Sequence, residues 1–597
     1  MTSKKIKYYI TFIYLLILCQ NSSAYSWEGN GNEKSPFLIS SVEQLVELAD
    51  SVNAGNDYKD VIFSLVSDLD LSSVCQKDSE SWTPIGSINH YFEGTFLGND
   101  HTINNLFLKI TSSYNGLFGY IGKNGKVSNL SIQDGYVYSS FWSGAIAGGN
   151  SGEISDCHNI NCEVTSFQLS GGIVGGNFNT VKNCTNKADV SSNLCAGGIA
   201  GYNYGNTSAC RNQGDIYGIK ATGGIAGYNG GFDSKNNCYN IKAGIIQNCQ
   251  NIAYVTGTRK TGGITGRNDG IILNSYNRGE LNSNTEVGGI AGYNGGFDGI
   301  EGKIYNSYNI GYITCSESYA GGLVGSNNIV GEVTNSYNAG KIAAFNQSGS
   351  LLGENKGQIN HCFKWENTLK EEIGTNEGFI DQSGTFTQDG NICTLTEKID
   401  SINDLSSTLN SWVGNQQDSI FLKWGNDSID KPSNNLFPIH TSSSKELHNV
   451  LVYNFHGETV SNTYIAPENT TITIKIVSEE GFILDSVVTW NDDKTIPTSI
   501  NNNTISFIMP NNDVSVYFYW GKNEHTSTNM TKKTENPLTI YSKDQSIYIS
   551  TDINTEIVIY SITGQLIRRF DMEKNTKKRV MLTPGMYLVN RNEIYVR

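Results

Sequence analysis

The histidines, serines and lysines of this chain do not form the short motifs of common catalytic centres. Its eight histidines give no H-E-x-x-H zinc motif, and the G-x-S-x-G turn of serine hydrolases is absent. No Gly-Lys pair is followed by Ser or Thr, so there is no P-loop. His440, His448 and His456 are evenly spaced, but they cross a predicted domain boundary, and chance explains them better than a metal site. We therefore expect no catalytic residue, no metal and no cofactor.

Cysteine is the next residue type that could do chemistry, and the chain contains twelve. Five of them occupy one position of a repeat, which serine takes in other copies: Cys157, Cys184, Cys210, Cys249 and Cys362. No C-x-x-C pair suggests zinc. Buried cysteine behaves as a small hydrophobe, so an inward-facing column explains this spacing better than a disulfide framework or a metal site.

Tyrosine supplies the candidate binding surface. Tyr276, Tyr308 and Tyr337 directly follow the Cys/Ser position in three consecutive repeats. Because successive side chains of a strand point to opposite faces, an inward Cys/Ser places these rings outside. Stacked on neighbouring coils, they would form a ladder for sugar rings or for a partner's apolar surface. The more common alternative is that the rings merely cover the sheet.

Short glycine-rich repeats must position these residues. A tetrad such as Gly172-Ile-Val-Gly175 occurs in nine variants, whose closing glycines are 26 to 39 residues apart, and segments such as Lys182-Asn-Cys-Thr-Asn186 fall between them. One such unit cannot bury its apolar side alone, whereas stacked units can. The sequence therefore predicts an all-β fold with a parallel β-helix, or β-solenoid, over residues 111–365. A propeller is less suitable, because its blades need about 40 or more residues.

The tetrads, here Gly-Ile-Ala-Gly and its relatives, resemble the GLUG motif of bacterial surface and secreted proteins. Ser35-Pro-Phe-Leu-Ile39 and Trp82-Thr-Pro-Ile-Gly86 are similar to the usual lead-in of that family. The resemblance implies a β-solenoid with residues 25–110 as its N-terminal cap and first coils, and it implies little about activity. Residues 366–440 lose the repeat and are predicted to cap the last coil, which would otherwise expose sheet edges.

Two small antiparallel β-sandwich modules are expected after the solenoid. Residues 445–521 alternate polar and apolar side chains and resemble the divergent repeat of listerial internalin B, an extracellular spacer. A polar linker follows at 522–536. Residues 537–597 include Pro584-Gly-Met-Tyr587 and are similar to the type A sorting domain of the type IX secretion system of Bacteroidetes. That resemblance implies the type IX secretion machinery as a partner of this module.

The N-terminus and the overall charge predict an exported chain. A lysine-rich start precedes an apolar run from Tyr8 to Leu18, and small residues lead up to Ala24, which predicts a signal peptide over residues 1–24. No later stretch is long and apolar enough for a membrane helix, so we expect no integral membrane segment in the mature chain. The formal net charge of −15 argues against nucleic acid as a partner. We expect the mature chain outside the cell or on the outer-membrane surface.

These features favour a non-enzymatic binding protein, adhesin-like, whose ligand is a glycan or an extracellular host or matrix protein. The alternative is a polysaccharide lyase or glycoside hydrolase on the β-helix, because such scaffolds can hold paired carboxylates. That alternative predicts acidic or basic residues at one position of adjacent coils. The acidic residues at roughly equivalent places of the repeat occur only one per coil, and they are Asp189, Asp215 and Glu280. Such scattered carboxylates are typical of a solvated surface. Nothing positive favours a purely structural envelope component.

Overall fold

The protein is described here by a computed structural model. It covers residues 27–364 except 77–80, 112, 231–243 and 297–300, and beyond residue 364 it covers the helix, the strands given below and a few adjoining residues. The predicted signal peptide and nearly all of the predicted linker lie outside the described residues. Parallel sheets form a β-solenoid of about eleven turns, and small antiparallel sheets follow. The predicted all-β fold with a parallel β-solenoid is confirmed.

Each full turn of the solenoid contributes to three parallel sheets, which we call the first, second and third sheets. In the described part of the chain they hold 22, 15 and 10 strands. Neighbouring turns pair in register, so that Val174 lies beside Ala200 in the third sheet. Like residues therefore stack in columns along the solenoid axis, about 4.8 Å apart.

The strand bounds follow the repeat closely. The first sheet comprises Phe37–Ile39, Ile62–Leu65, Leu69–Asp70, Thr95–Asn104, Lys126–Gln133, Glu153–Ser155, His158–Asn159, Thr180–Lys182, Thr185–Asn186, Asn206–Ser208, Arg211–Asn212, Ile245–Gln247, Gln250–Asn251, Ile271–Leu273, Tyr276–Asn277, Gly302–Tyr305, Tyr308–Asn309, Gly331–Thr334, Tyr337–Asn338, Gln358–Asn360, Phe363–Lys364 and Phe379–Ile380. The second sheet comprises Phe107–Lys109, Tyr114–Asn115, Gly135–Ser139, Trp142–Gly144, Cys162–Ser166, Leu169–Gly171, Val190–Ser192, Cys195–Gly197, Ile216–Gly218, Ala221–Gly223, Val255–Gly262, Leu281–Gly288, Ile313–Gly321, Ile342–Ala344 and Ser348–Gly349. The third sheet comprises Phe118–Ile121, Ala147–Asn150, Val174–Asn177, Ala200–Asn203, Ala226–Gly230, Thr265–Asp269, Ala291–Asn294, Val324–Asn327, Leu352–Asn355 and Ile373–Asn376.

Apolar columns from the tetrads fill the solenoid. The second residue of each tetrad is at most 1% exposed, and these residues are Leu117, Ile146, Ile173, Ile199, Ile225, Ile264, Ile290, Leu323 and Leu351. At the N-terminal end, helix α1 (Val42–Asn53) adds the fully buried Leu45, Leu48 and Val52 to the same core. A short 3₁₀ helix at Leu71–Ser73 also lies in this region.

The predicted cysteine column is confirmed. All five of its cysteines are buried, and their thiols are free. The Cys184 thiol donates to the Lys182 carbonyl oxygen (3.2 Å), and where serine replaces cysteine, the Ser275 hydroxyl donates to the Leu273 carbonyl oxygen (2.9 Å). Burial raises the pKa of the Cys157 and Cys184 thiols well above the usual value, because the charged thiolate would be desolvated. The column is therefore an inert part of the core.

Buried asparagines form two hydrogen-bonded columns along the axis. In the column at the end of the third sheet, the Asn177 amide donates to the Asn203 side-chain oxygen (2.9 Å), and the Asn203 amide donates to that of Asn229 (2.8 Å). The second column runs along the end of the first sheet and comprises Asn186, Asn212, Asn251, Asn277, Asn309 and Asn338. These amides also satisfy main-chain carbonyls at the corners, where the buried backbone would otherwise lack partners.

A left-handed residue bends the first sheet in every turn of the repeat. Asn183, Asn248 and Asn306 have φ of 55°, 55° and 49°, and each directly precedes the Cys/Ser position. Asparagine adopts this conformation more readily than other non-glycine residues, which explains its recurrence there. The bend directs the Cys/Ser side chain inward, so the tyrosine that follows it in later turns lies outside.

The segment after residue 364 begins as a continuation of the solenoid. Ile373–Asn376 pairs with the third sheet, and Phe379–Ile380 pairs with the first sheet. Helix α2 (Ile402–Asn415) follows, and then an antiparallel pair formed by Trp424–Asn426 and Pro438–His440. Phe386–Asp389 and Ile392–Leu395 form a further antiparallel pair.

Most residues from 452 onward form a second compact unit of antiparallel strands. Between residues 447 and 522 the strands are Leu447–Tyr453, Gly457–Val460, Ile465–Pro467, Thr471–Ser478, Phe482–Asn491, Lys494–Thr495, Ser499–Asn501, Thr504–Ile508 and Val514–Lys522. The last strands, in one three-stranded and one four-stranded sheet, are Leu538–Lys543, Ser546–Thr551, Thr555–Ser561, Leu566–Met572, Thr576–Met581, Gly585–Val589 and Asn592–Val596.

Candidate functional site

The three tyrosines singled out in the sequence form one stacked column on the outer side of the first sheet. Tyr276 pairs with Tyr308, and Tyr308 with Tyr337, in neighbouring turns. Their ring centroids are 4.7 and 5.1 Å apart, with interplanar angles of 9° and 2°. Tyr276 also donates from its hydroxyl to the Gln250 side-chain oxygen.

Helix α2, residues 420–426 and the strand Pro438–His440 of the same chain cover this column. Trp424 packs against Tyr308 and Tyr337, with ring centroids 5.8 and 5.6 Å away, and His440 packs against Tyr308 at 5.8 Å. Leu405, Leu409 and Val413 of helix α2 belong to the same buried cluster. We call the described residues between 402 and 440 the cover.

Polar contacts also fasten the cover to the first sheet. The Asn274 amide donates to the Ile420 carbonyl oxygen (2.9 Å), and the Asn306 amide donates to the Leu422 carbonyl oxygen (3.0 Å). The indole N–H of Trp424 donates to the Asn306 side-chain oxygen (2.6 Å). Outward asparagines of two neighbouring turns therefore hold the main chain of the cover.

The expectation of an open tyrosine platform needs correction. Tyr308 and Tyr337 are each only 1% exposed, because the apolar side of the cover lies over them. The cover, which is the later part of the predicted cap, thus packs against the side of the solenoid. In this arrangement the two rings anchor the chain's own C-terminal segment and offer no surface to a ligand.

The other residues considered in the sequence have structural roles or lie outside the described residues. Asp189 accepts a hydrogen bond from the Asp215 amide nitrogen (3.3 Å), and Asp215 accepts one from the Tyr254 amide nitrogen (3.2 Å), so this column supports the corners of successive turns. His448 is buried, and His456 is not described. In the described part of the chain, no three His, Cys, Asp or Glu side chains are grouped to hold a metal ion.

A larger aromatic surface lies elsewhere, along the third sheet and the neighbouring edge of the second sheet. Eight rings form one connected set, which we call the aromatic face: Tyr91, Tyr114, Tyr120, Trp142, Phe178, Tyr202, Tyr204 and Tyr228. Seven of these rings are exposed or partly exposed, and Tyr228 is 6% exposed. A contiguous set of partly exposed rings of this size makes the aromatic face the candidate binding surface of the described residues.

The rings of the aromatic face are closely packed. Tyr202 stacks on Tyr204 with centroids 4.2 Å apart, and Trp142 stacks on Tyr114 at 5.7 Å. Phe178 links these pairs, since it lies 5.8 Å from Trp142 and stacks on Tyr204 at 5.5 Å. Each ring fixes its neighbours, so the face is preorganised and a ligand would order few side chains.

Two glycines make room for the large rings. Gly149 and Gly176 occupy the outward position that tyrosine takes at Tyr202. A Cβ atom at Gly176 would lie 2.4 Å from a ring carbon of Trp142, and one at Gly149 would lie 2.6 Å from the ring of Tyr120. These rings therefore pack directly against the main chain of the sheet.

The aromatic face ends at a group of charged side chains. In the turn after Tyr228, the outward position belongs to Arg267, whose guanidinium lies 5.1 Å from the Tyr228 ring centroid. Arg267 makes a two-pronged ion pair with the fully buried carboxylate of Asp269, with N–O distances of 2.6 and 3.0 Å. The Tyr228 hydroxyl donates to the same carboxylate, so the buried charge is balanced.

Sequence inspection missed the aromatic face, although one signal was present. The triplet Gly-Tyr-Asn recurs at 201–203, 227–229 and 292–294, and its glycine is the closing glycine of the tetrad. Because the asparagine of this triplet faces inward, the tyrosine before it must face outward. The other rings come from different positions of the repeat, so no single column of the sequence reveals the whole set.

The fold and this surface define a repeat β-solenoid protein with a preformed aromatic surface. No family model matches the chain. Over 140 residues, 23% of this chain, it is 34% identical to a "Putative Gly-rich membrane protein" of Evansella cellulosilytica. Over 138 residues, 22% of this chain, it is 31% identical to halomucin of Haloquadratum walsbyi. The matched regions span only 15% and 1% of those two proteins.

The comparison with solved structures matches a "putative immunoglobulin A1 protease" from Bacteroides ovatus. The two chains are 18% identical with a TM-score of 0.31, and the match covers 69% of this chain and 94% of the other. Within the described residues of our protein, no helix is long and apolar enough to cross a membrane.

Proposed function

We propose that this protein is an exported, non-enzymatic binding protein that holds a glycan on its aromatic face. The observation that carries the proposal is the connected set of eight rings on a rigid parallel sheet. Tyrosine and tryptophan offer large apolar contact areas to the C–H groups of sugars, and their O–H and N–H groups bond sugar hydroxyls. They do so with little loss of conformational freedom.

The electrostatic surroundings of the rings also favour a glycan. Burial raises the pKa of Tyr114 and Tyr120, and the neighbours that add to these shifts are other tyrosines. Sugar hydroxyls can be bound without a compensating charge, whereas a strongly charged protein partner would meet few charges around these two rings. The likeness of part of the chain to a Gly-rich membrane protein and to halomucin supports a role at a cell surface.

The proposal predicts that the full mature chain binds particular glycans on an array. Variants that lack an aromatic ring of the face should bind the same glycans more weakly. We expect Trp142→Ala and Tyr202→Ala each to weaken binding about 10- to 100-fold, since central aromatic residues contribute about 2 kcal/mol or more to an interface. Tyr217→Ala is the matched control, because Tyr217 is 39% exposed and lies on the second sheet, away from the face.

Equal binding by the wild type and the Trp142→Ala variant would contradict the proposal, and so would the absence of any glycan ligand. Thermal unfolding of every variant separates a lost contact from a lost fold. The bound glycans should be recovered intact, because the proposed function is binding.

A second candidate is a polysaccharide-degrading enzyme. The observation that favours it is a column of chemically active residues at one position of successive turns, namely Lys260, Glu286 and Tyr319, all with positive φ of 51–64°. Strained backbone of this kind is frequent at active sites, although a bulged strand also produces it. Shortened glycan products after incubation with the wild type, and their absence with Glu286→Gln, would favour this candidate over binding alone.

We further propose that residues 1–24 direct export and that residues 537–597 act as a type IX sorting module. Support comes from the sequence resemblance and from the two small antiparallel sheets of this region. In a Bacteroidetes host, deleting residues 537–597 should leave the chain in the periplasm, while the full chain reaches the surface or the medium. Surface delivery of the truncated chain would refute the sorting role.

A further inference from the structure

The surface changes character along the solenoid where the aromatic face ends. At the edge of the second sheet, Cys195 pairs with Ala221. In the next two turns the same position is occupied by Lys260 and then by Glu286. This follows because the residues directly after them, Thr261 and Val287, pair with each other. Small uncharged residues thus give way to charged ones beside the last rings of the face.

Lys260 is the distinctive member of this charged group. Its ammonium lies over the ring of Tyr293, 4.0 Å from the centroid, and makes no hydrogen bond or ion pair within the described part of the chain. Burial lowers the pKa of Lys260, while nearby Glu286 partly opposes this shift. A half-buried cation without a hydrogen-bond acceptor is costly, so an arriving anion would stabilise it.

The neighbouring carboxylates already have partners. Asp269 is occupied by Arg267 and the Tyr228 hydroxyl, and Glu286 lies 3.5 Å from a guanidinium nitrogen of Arg259. Three cations, Arg259, Lys260 and Arg267, therefore face two carboxylates, which leaves a local charge of +1. On a chain with a net charge of −15, this is a local preference for an anion.

We propose that Lys260 binds a sugar carboxylate, so that the ligand of the aromatic face is an acidic glycan. This inference rests on the proposed function. Neutral parts of the glycan lie on the rings from Tyr114 to Tyr228, and a carboxylate of a following residue contacts the Lys260 ammonium beside Tyr293. The ring of Tyr293 holds the ammonium in place by cation–π attraction.

The test compares acidic oligosaccharides with their carboxyl-reduced counterparts, which keep the same backbone without the charge. Uronate oligomers form one arm and sialylated oligosaccharides the other, and binding to the full mature chain is measured by calorimetry. We expect one acidic form to bind about tenfold more tightly than its reduced counterpart, and this preference should weaken as salt rises.

Lys260→Asn is the decisive variant. Lys260 has φ of 52°, which asparagine tolerates, so this substitution removes the charge without adding strain. It should abolish the preference for the acidic form and leave binding of the reduced form unchanged. Lys220→Asn is the matched control, since Lys220 is exposed at the same edge one turn earlier, and it should keep the preference.

The outcomes separate this inference from the proposed function. If acidic and reduced forms bind equally and Trp142→Ala weakens both, the carboxylate site is refuted while the aromatic face stands. A preference that survives in Lys260→Asn also refutes the site. If no form binds, the proposed function fails and the carboxylate site fails with it.

Discussion

Replacing Asn203 by alanine should destabilise the solenoid about as much as the loss of a large apolar core side chain. The Asn203 amide donates to Asn229, Gly205 and Ile245, and its oxygen accepts from Asn177 and Thr207, all within 2.8–3.1 Å. Alanine would leave several of these buried groups without a partner, and each such group costs about 1–3 kcal/mol. We expect the free energy of unfolding to fall by about 3 kcal/mol or more, as measured by urea denaturation followed by circular dichroism.

Asn193→Ala is the control for this variant. Asn193 is exposed at a corner of the preceding strands, so its loss should change stability by less than about 0.5 kcal/mol. Because each repeat contacts mainly its neighbours, the Asn203→Ala effect should appear as an earlier transition of the affected turns. Equal, small shifts for both variants would show that the buried asparagine column is not a major source of stability.

Acid should release the cover from the tyrosine column. His440 is half-buried and hydrogen-bonds through Nε2 to the Asn306 carbonyl oxygen (2.8 Å), and desolvation lowers its pKa from 6.5 to about 4. His361, which bonds the Thr408 carbonyl oxygen of helix α2 (3.2 Å), also has a lowered pKa because of burial. When the cover detaches, both imidazoles regain their ordinary pKa and take up protons more readily.

The pH dependence follows from these directions. Well above pH 6.5 both histidines are neutral in either state, so docking of the cover does not depend on their titration. As pH falls from about 6.5 to about 4, the detached state binds more protons and docking weakens, by about 3 kcal/mol for His440 alone at 1.36 kcal/mol per pKa unit. Hydrogen exchange in peptides of helix α2 should therefore accelerate between pH 7 and pH 4.5, after correction for intrinsic exchange.

The double variant His361→Gln, His440→Gln tests the assignment. Glutamine can still donate to the two carbonyl oxygens but does not titrate in this range. The variant should therefore lose most of the acid-induced acceleration. The same acceleration in the double variant, or none in the wild type, would contradict the role of these histidines.

The repeat architecture could be predicted from the sequence because each turn repeats its physical requirements. Glycine recurs where the backbone is crowded, asparagine at the left-handed bends, and Cys184 or Ser275 where only a small inward side chain fits. Once a column is known to face inward, the adjacent residue of the strand must face outward. The outward stacking of Tyr276, Tyr308 and Tyr337 could be predicted for the same reason.

The cover and the aromatic face could not be predicted in this way. Residues 402–440 have no repeat, so nothing in their sequence pairs Trp424 or His440 with Tyr308. The face combines residues from several positions of the repeat, such as Trp142 before a tetrad and Tyr202 after one. The proximity of these rings depends on which edges of the second and third sheets meet. Gly149 and Gly176 also contribute, because their missing side chains leave space for the rings of Tyr120 and Trp142.

The central claim is that the aromatic face contacts the ligand, and side-chain oxidation footprinting tests it most directly. The mature chain is oxidised with and without a glycan ligand, and modified residues are quantified by mass spectrometry. The ligand should protect Trp142, Tyr202 and Tyr204 and leave Tyr217 as reactive as before. Protection of Tyr217 without protection of Trp142 and Tyr202 would place the ligand elsewhere and contradict the account.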